Sequence, residues 1–295
     1  MAADGTEDFA AFEVTVPDGL TLRGRIFGEE IGGTPVVCLA GLTRNGRDFA
    51  PLAQWLADHP ERPFKVVTID SRGRGASDRD PDASRYTVPV ETGDVIAVCE
   101  TLGIARAAFI GTSRGGLILH ILAALRPDLI AAAVLNDIGP VIEAEGLRHI
   151  QAYLGRNTQL SNFTQAADHL QAVHGPHFPA LSGDDWQEMA RAIYREQNGM
   201  IEADCDPAIA EATVAADFSA PLPDLWPQFE GFADLPLMAI RGEHSTLLSE
   251  ETVEEMGRRH PALRRSTASG QGHAPLLHLG DLSRSIHRFL AESVG

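Results

Sequence analysis

At 295 residues, 44% hydrophobic and 22% charged, the chain has the composition of a globular protein able to bury a large core, which excludes a disordered, collagen-like or disulfide-built molecule. A formal net charge of −17, with no basic tract or aromatic-basic stripe to offset it, excludes nucleic acid as an expected partner. The cysteines, Cys38, Cys99 and Cys205, are odd in number and scattered, so buried thiols in a reducing compartment are expected rather than a zinc site or a redox pair.

Residues 12–16 alternate apolar and polar, Pro17-Asp18-Gly19 supplies a turn, and residues 22–27 alternate again, predicting an antiparallel hairpin. Residues 36–39 form a continuous apolar run between Pro35 and Gly41, the pattern of a strand buried on both faces. A helix at 49–57, a buried strand at 64–69, a helix at 90–102 and strands at 107–110 and 131–135 follow. The stretch 140–235 is too long for a simple crossover and carries helical periodicity at 143–154, 162–173 and 185–196. Beyond it come a strand at 237–240, a helix at 250–259, a last strand near 263–269 and a terminal helix at 281–292. Strands alternating with helices predict an α/β fold, a mainly parallel sheet flanked by helices. Its core is expected at 1–139 and 236–295, with 140–235 an inserted helical cap over the carboxyl ends of the strands, where ligands of such sheets bind.

Gly111-Thr112-Ser113-Arg114-Gly115 matches G-x-S-x-G, and it lies between a buried strand and an apolar helix opening at Gly116-Leu117-Ile118. A tight strand-to-helix turn needs residues without side chains around it, and it presents Ser113 at a helix N-terminus, whose partial positive charge favours an oxyanion. Serine is a weak nucleophile near neutral pH and needs a base. His273 is the candidate, because it follows the loop Gly270-Gln271-Gly272 after the last strand and precedes the terminal helix.

These motifs stand in the order found in the α/β-hydrolase superfamily, which the chain resembles over nearly its whole length outside the cap. Leu39-Ala40-Gly41-Leu42 looks like that family's oxyanion loop, residues 70–78 resemble its D-x-R-G-x-G-x-S-D turn, and Gly270-Gln271-Gly272-His273 resembles its histidine loop. The resemblance implies the family's fold and an acyl-enzyme mechanism without naming a substrate.

One departure concerns the acid that orients the histidine. The family commonly places it after the strand represented here by 237–240, but Ser245 and Thr246 hold hydroxyls there. Asp137, in Leu135-Asn136-Asp137-Ile138-Gly139-Pro140, lies 24 residues beyond Ser113, enough for a helix, a turn and a strand returning to the same edge. Some members of the superfamily carry their acid at that strand end. Asp137 is therefore the candidate, with Glu243 as the substitute.

The elbow supplies the backbone N–H of Arg114 to an oxyanion, and the N–H of Leu42 is the second expected donor. Arg114 and Arg44 are placed to meet a substrate carboxylate or, alternatively, to pair with a nearby acid. Trp226, an aromatic of the cap, is expected to contact substrate, and Asp70 is expected to pair with Arg72. No metal or cofactor motif is readable.

The sequence thus predicts a serine hydrolase of small carboxylic esters or lactones, without cofactor or metal. Amide and carbon–carbon bond hydrolysis use the same residues, and a non-catalytic ligand receptor can be built on the same fold. Residues 1–9 show no secretory signal, and no apolar stretch reaches the roughly 18 residues of a membrane span, so a cytoplasmic protein with a small-molecule partner is expected, with a homodimer compatible with the sequence.

Overall fold

The computed structural model describes residues 8–154, 159–218 and 222–294. The opening hairpin is β1 (Phe9–Thr15) and β2 (Thr21–Phe27), and β3 (Val36–Leu39), α1 (Ala50–Ala57), β4 (Val66–Asp70) and α2 (Val88–Thr101) follow. Next come β5 (Ala107–Thr112), α3 (Arg114–Leu125) and β6 (Ile130–Asn136). The long insertion holds α4 (Ala144–Leu154), α5 (Phe163–His174), α6 (Gly183–Ile193), β7 (Tyr194–Gln197), β8 (Met200–Ala203), α7 (Pro207–Ala215) and the short α8 (Trp226–Phe229). The chain then returns through β9 (Leu237–Gly242), α9 (Glu250–Arg259), β10 (Arg264–Ala268) and α10 (Leu282–Ser293).

Eight strands form one sheet in the order β1-β2-β4-β3-β5-β6-β9-β10. The β1–β2 and β2–β4 pairs are antiparallel and every other pair is parallel. Because successive side chains of a strand point to opposite faces, the continuous apolar runs feed two cores. Val37, Leu39 and Phe109 pack on one face with α2 and α3, whereas Val36, Cys38, Ala108 and Ile110 pack on the other with α1 and α10. The insertion has its own small core of Leu160, Ala166, Trp186, Met189 and Ile201. All three cysteines are unpaired and buried.

One sequence expectation is corrected in the insertion. The helix expected at 185–196 stops at Ile193, and the next residues pair as β7 and β8 across Asn198 and Gly199, which take positive φ of 54° and 75°. Asn-Gly is the favoured two-residue hairpin turn, so the local turn chemistry wins over helical periodicity. Helix α7 also went unforeseen, although Asp206 caps it by accepting from the backbone N–H of Ala208 and Pro207 occupies its first turn.

Candidate active site

Ser113 sits between the last residue of β5 and the first of α3 with φ 50° and ψ −112°, a region that costs a non-glycine residue about 1–3 kcal/mol. Its surroundings hold it there: its N–H donates to the carbonyl of Asn136 at 3.0 Å, and its own carbonyl accepts from Gly116 and Leu117 at 2.9 and 3.1 Å. A Cβ at Gly115 would lie 2.1 Å from the carbonyl oxygen of Leu39, and one at Gly111 would lie 2.6 Å from the carbonyl carbon of Gly115. The glycines of the motif are therefore required by the closeness of β3, β5 and α3.

His273 lies opposite, in the loop after β10. Its Nε2 is 2.8 Å from Ser113 Oγ and its Nδ1 is 2.8 Å from Asp137 Oδ2. Those partners assign the tautomer: Nδ1–H donates to the carboxylate, and Nε2 accepts from the hydroxyl. Asp137 is fully buried at the end of β6, and three donors satisfy it. The backbone N–H of Gly242 donates to Oδ1 at 2.7 Å, while the Ser245 hydroxyl donates to Oδ2 at 2.6 Å alongside His273. Neighbouring Asn136, also fully buried, donates from Nδ2 to the carbonyl of Pro275 and to Thr112 Oγ1, both at 3.0 Å, tying the histidine loop to the ends of β5 and β6. Glu243 is exposed and points elsewhere, accepting from the N–H of Gly270 at 2.7 Å, so the geometry brings Asp137 and not the substitute to His273.

Ser113 and His273 open into a cavity of about 1010 Å³, whose opposite wall comes from the insertion, including Tyr153, His174 and Tyr194. Gly41, Leu42 and Arg44 line the near side. A Cβ added at Gly41 would lie 3.8 Å from Ser113 Cβ, which places that loop against the nucleophile elbow. Burial, reinforced by the charge of Arg44, lowers His174 to about 4, so this imidazole faces the cavity uncharged near neutral pH.

Of the two outcomes expected for Arg114 and Arg44, both side chains pair with a nearby acid. Arg114 donates from Nε and Nη2 to Glu91 at 2.6 and 3.0 Å, and it does not line the cavity, so its side chain pairs with an acid instead of waiting for substrate. Arg44 does line the cavity, with Nε and Nη2 both directed at Oδ1 of Asp48 at 3.0 and 2.7 Å. Trp226 is corrected: it packs on Phe229 and lies under the Arg259 guanidinium, 4.0 Å from ring centre to Cζ, outside the cavity. Its place near the end of the insertion, beside α9, carries it away from the site. The expected Asp70–Arg72 pair is also absent. Asp70 accepts instead from the N–H groups of Gly46 and Ala76, and buried Arg72 pairs with Asp18, Asp80 and Asp94.

Among the described residues, no group of three or more His, Cys, Asp or Glu side chains is arranged to hold a metal ion, and no helix is long and apolar enough to cross a membrane.

An eight-stranded mostly parallel sheet, a serine on a strained strand-to-helix turn and a histidine and aspartate within hydrogen-bond reach define a hydrolase scaffold of the nucleophile-elbow type. The chain belongs to the family described as alpha/beta hydrolase fold, whose model matches residues 34–278. It is 32% identical to the 3-hydroxybutyrate-oligomer hydrolase of Cupriavidus necator, over 84% of this chain and 85% of that one. It is 28% identical to the 2-(acetamidomethylene)succinate hydrolase of Mesorhizobium japonicum, over 92% of each chain. Its fold matches the crystal structure of an alpha/beta hydrolase from Novosphingobium aromaticivorans with a TM-score of 0.89 and 38% identity, over 97% of this chain and 99% of that one. The protein is thus a hydrolase of the α/β family.

Proposed function

We propose that the protein cleaves a small carboxylic ester or lactone through an acyl-enzyme formed on Ser113. The hydrogen-bonded chain from Ser113 through His273 to Asp137, opening into a substrate-sized cavity, carries this reading. Ser113 Oγ attacks the carbonyl carbon while its proton passes to Nε2 of His273. The carbonyl oxygen becomes an oxyanion between the backbone N–H groups of Leu42 and Arg114. Asp137 holds Nδ1–H and stabilises the imidazolium, which then protonates the leaving alkoxide. His273 then takes a proton from water as the water oxygen attacks the acyl carbon, and it returns that proton to Ser113 Oγ as the bond to the acyl group breaks and the acid leaves.

The 3-hydroxybutyrate-oligomer hydrolase among the relatives supports an ester substrate, since a hydroxy acid condensed with itself is an oligoester. Arg44, on the cavity wall, is the group suited to a carboxylate on such a substrate. A diffusible small molecule and a cytoplasmic setting complete the reading.

The deciding experiment is turnover of a panel of p-nitrophenyl esters and simple lactones, together with labelling by a fluorophosphonate. Wild type should hydrolyse short esters and be labelled, and Ser113→Ala should do neither. An unlabelled wild type inactive on the whole panel would favour a ligand receptor, and a fully active Ser113→Ala would remove the serine mechanism.

A further inference from the structure

Two buried side chains, Arg74 and Glu91, and the partly buried Arg114 lie behind the two backbone groups assigned to the oxyanion. Arg74 and Glu91 are each 1% exposed, and Arg114 is 15% exposed at its side chain. Arg74 Nε donates to the carbonyl oxygen of Leu42 at 2.8 Å. Its Nη1 donates to Glu91 Oε1 and to the carbonyl of Arg72, both at 2.7 Å. Arg114 occupies the rest of the Glu91 carboxylate, with Nε on Oε2 at 2.6 Å and Nη2 on Oε1 at 3.0 Å, and Nη2 also reaches the carbonyl of Tyr86 at 2.9 Å. Burial would raise the Glu91 carboxyl, but the charges of Arg74 and Arg114 outweigh it and hold that group below its usual range.

Buried ion pairs seldom add stability over well-packed apolar residues of the same volume, so their placement calls for another account. Here both ends of the network grip the chain beside Ser113. One end fixes the carbonyl of Leu42, in the loop that carries one N–H donor. The other fixes the side chain of Arg114, the first residue of α3 and bearer of the second donor. The groups around an oxyanion act at roughly 2.7–3.1 Å, and losing one donor costs about 100- to 1000-fold in kcat. The network spans the two segments that carry those donors.

We propose that Arg74, Glu91 and Arg114 form a positioning network for the reaction at Ser113: Arg74 seats the loop of Leu42, Arg114 seats the start of α3, and Glu91 sets the distance between them. The proposal rests on the reading of Ser113 as nucleophile and of the N–H groups of Leu42 and Arg114 as oxyanion donors. None of the three side chains touches substrate.

The test compares wild type with Arg74→Met, Arg74→Lys and Glu91→Gln on one p-nitrophenyl ester. Two inhibitors of equal chain length are used: a trifluoromethyl ketone, which adds Ser113 and becomes an oxyanion, and the corresponding methyl ketone, which binds without doing so. In the variants kcat should fall about 10- to 100-fold, and the Ki of the trifluoromethyl ketone should rise by a similar factor. KM and the methyl ketone Ki should stay within about twofold, the pattern of an interaction made only in the transition state. Both Ki values are independent of the folded fraction, so partial unfolding cannot imitate this split. Arg74→Lys keeps a cation beside Glu91 but loses the donor to Leu42, and it carries the comparison if Arg74→Met does not fold. A lowered melting temperature with both Ki values unchanged would reduce the network to a structural role and overturn the proposal. A wild type that fails to turn over the ester and to bind the trifluoromethyl ketone would instead overturn the reading of Ser113, before any variant is compared.

Discussion

The hydroxyl of Ser245 donates to Oδ2 of Asp137 at 2.6 Å, the same oxygen that accepts Nδ1–H of His273 at 2.8 Å. Ser245 stands at the strand end where the family's acid is more common, and here its hydroxyl meets a carboxylate at the end of the neighbouring strand. If Asp137 is the acid that orients His273, a carboxylate at position 245 should be able to take over its role. Asp137→Asn should lower kcat by about 10³- to 10⁴-fold with little change in melting temperature. Adding Ser245→Asp should recover at least about tenfold of that loss. Glu243→Gln should stay within about twofold of wild type, and a collapse of its activity to the Asp137→Asn level would move the acid to Glu243.

Gly115 and Gly116 make different demands. A Cβ at Gly115 would meet the backbone oxygen of Leu39 at 2.1 Å, whereas one at Gly116 would meet the side-chain methyl Cγ2 of Ile138 at 2.1 Å. A methyl group can turn aside and a central strand of the sheet cannot. Gly115→Ala should therefore cost about 3 kcal/mol or more and abolish turnover, and Gly116→Ala should cost markedly less, on the order of 1–3 kcal/mol. Urea denaturation of both variants checks the order, and equal destabilisation would contradict it.

Burial lowers His120 to about 4, and burial with the charge of Arg44 lowers His174 to about 4. Between roughly pH 6.5 and 4 the unfolded chain binds protons at these sites that the folded chain does not. Stability should therefore be fully present above that window and fall as the pH drops through it. His120→Leu, which keeps an apolar group against Phe229 and Phe232, should lose less stability than wild type between pH 7 and 4.5, by an amount on the order of 2 kcal/mol. Parallel urea curves at the two pH values measure this, and identical losses would show that His120 does not titrate differently on folding.

Arg44 is held at the cavity wall by Asp48, through Nε and Nη2. If it meets a substrate carboxylate, Arg44→Met should reduce kcat/KM for esters bearing a free carboxylate by about tenfold relative to neutral esters of the same length, most of it in KM. An unchanged ratio would release Arg44 from substrate recognition.

The strands β3, β5, β6 and β9 were readable in the sequence because residues 36–39, 107–110, 131–135 and 237–240 are buried on both faces and therefore apolar without interruption, a local consequence of their final environment. Ser113 was readable for a similar reason, since its turn admits only glycine at the points of closest approach, and that requirement is written in neighbouring residues. The β7–β8 hairpin was missed although Asn198-Gly199 marked it, because the helical period of the preceding residues ran on into it. Trp226 was misplaced because an aromatic side chain reads alike whether it packs under Arg259 or lines a cavity.

Whether Asp137 or Glu243 faces His273 depends on residues 136 positions apart coming together, and the pairing of Arg114 with Glu91 joins the elbow to a helix 23 residues earlier. Neither relation leaves a local trace, since a carboxylate on a helix or in a loop looks the same whatever cation it meets. Periodicity and turn chemistry, which act over a few residues, let the sequence determine the sheet, the elbow and the candidates for the site. The choice among those candidates was made by tertiary packing, because only the folded sheet brings the ends of β5, β6 and β9 and the loop after β10 within hydrogen-bond distance of one another.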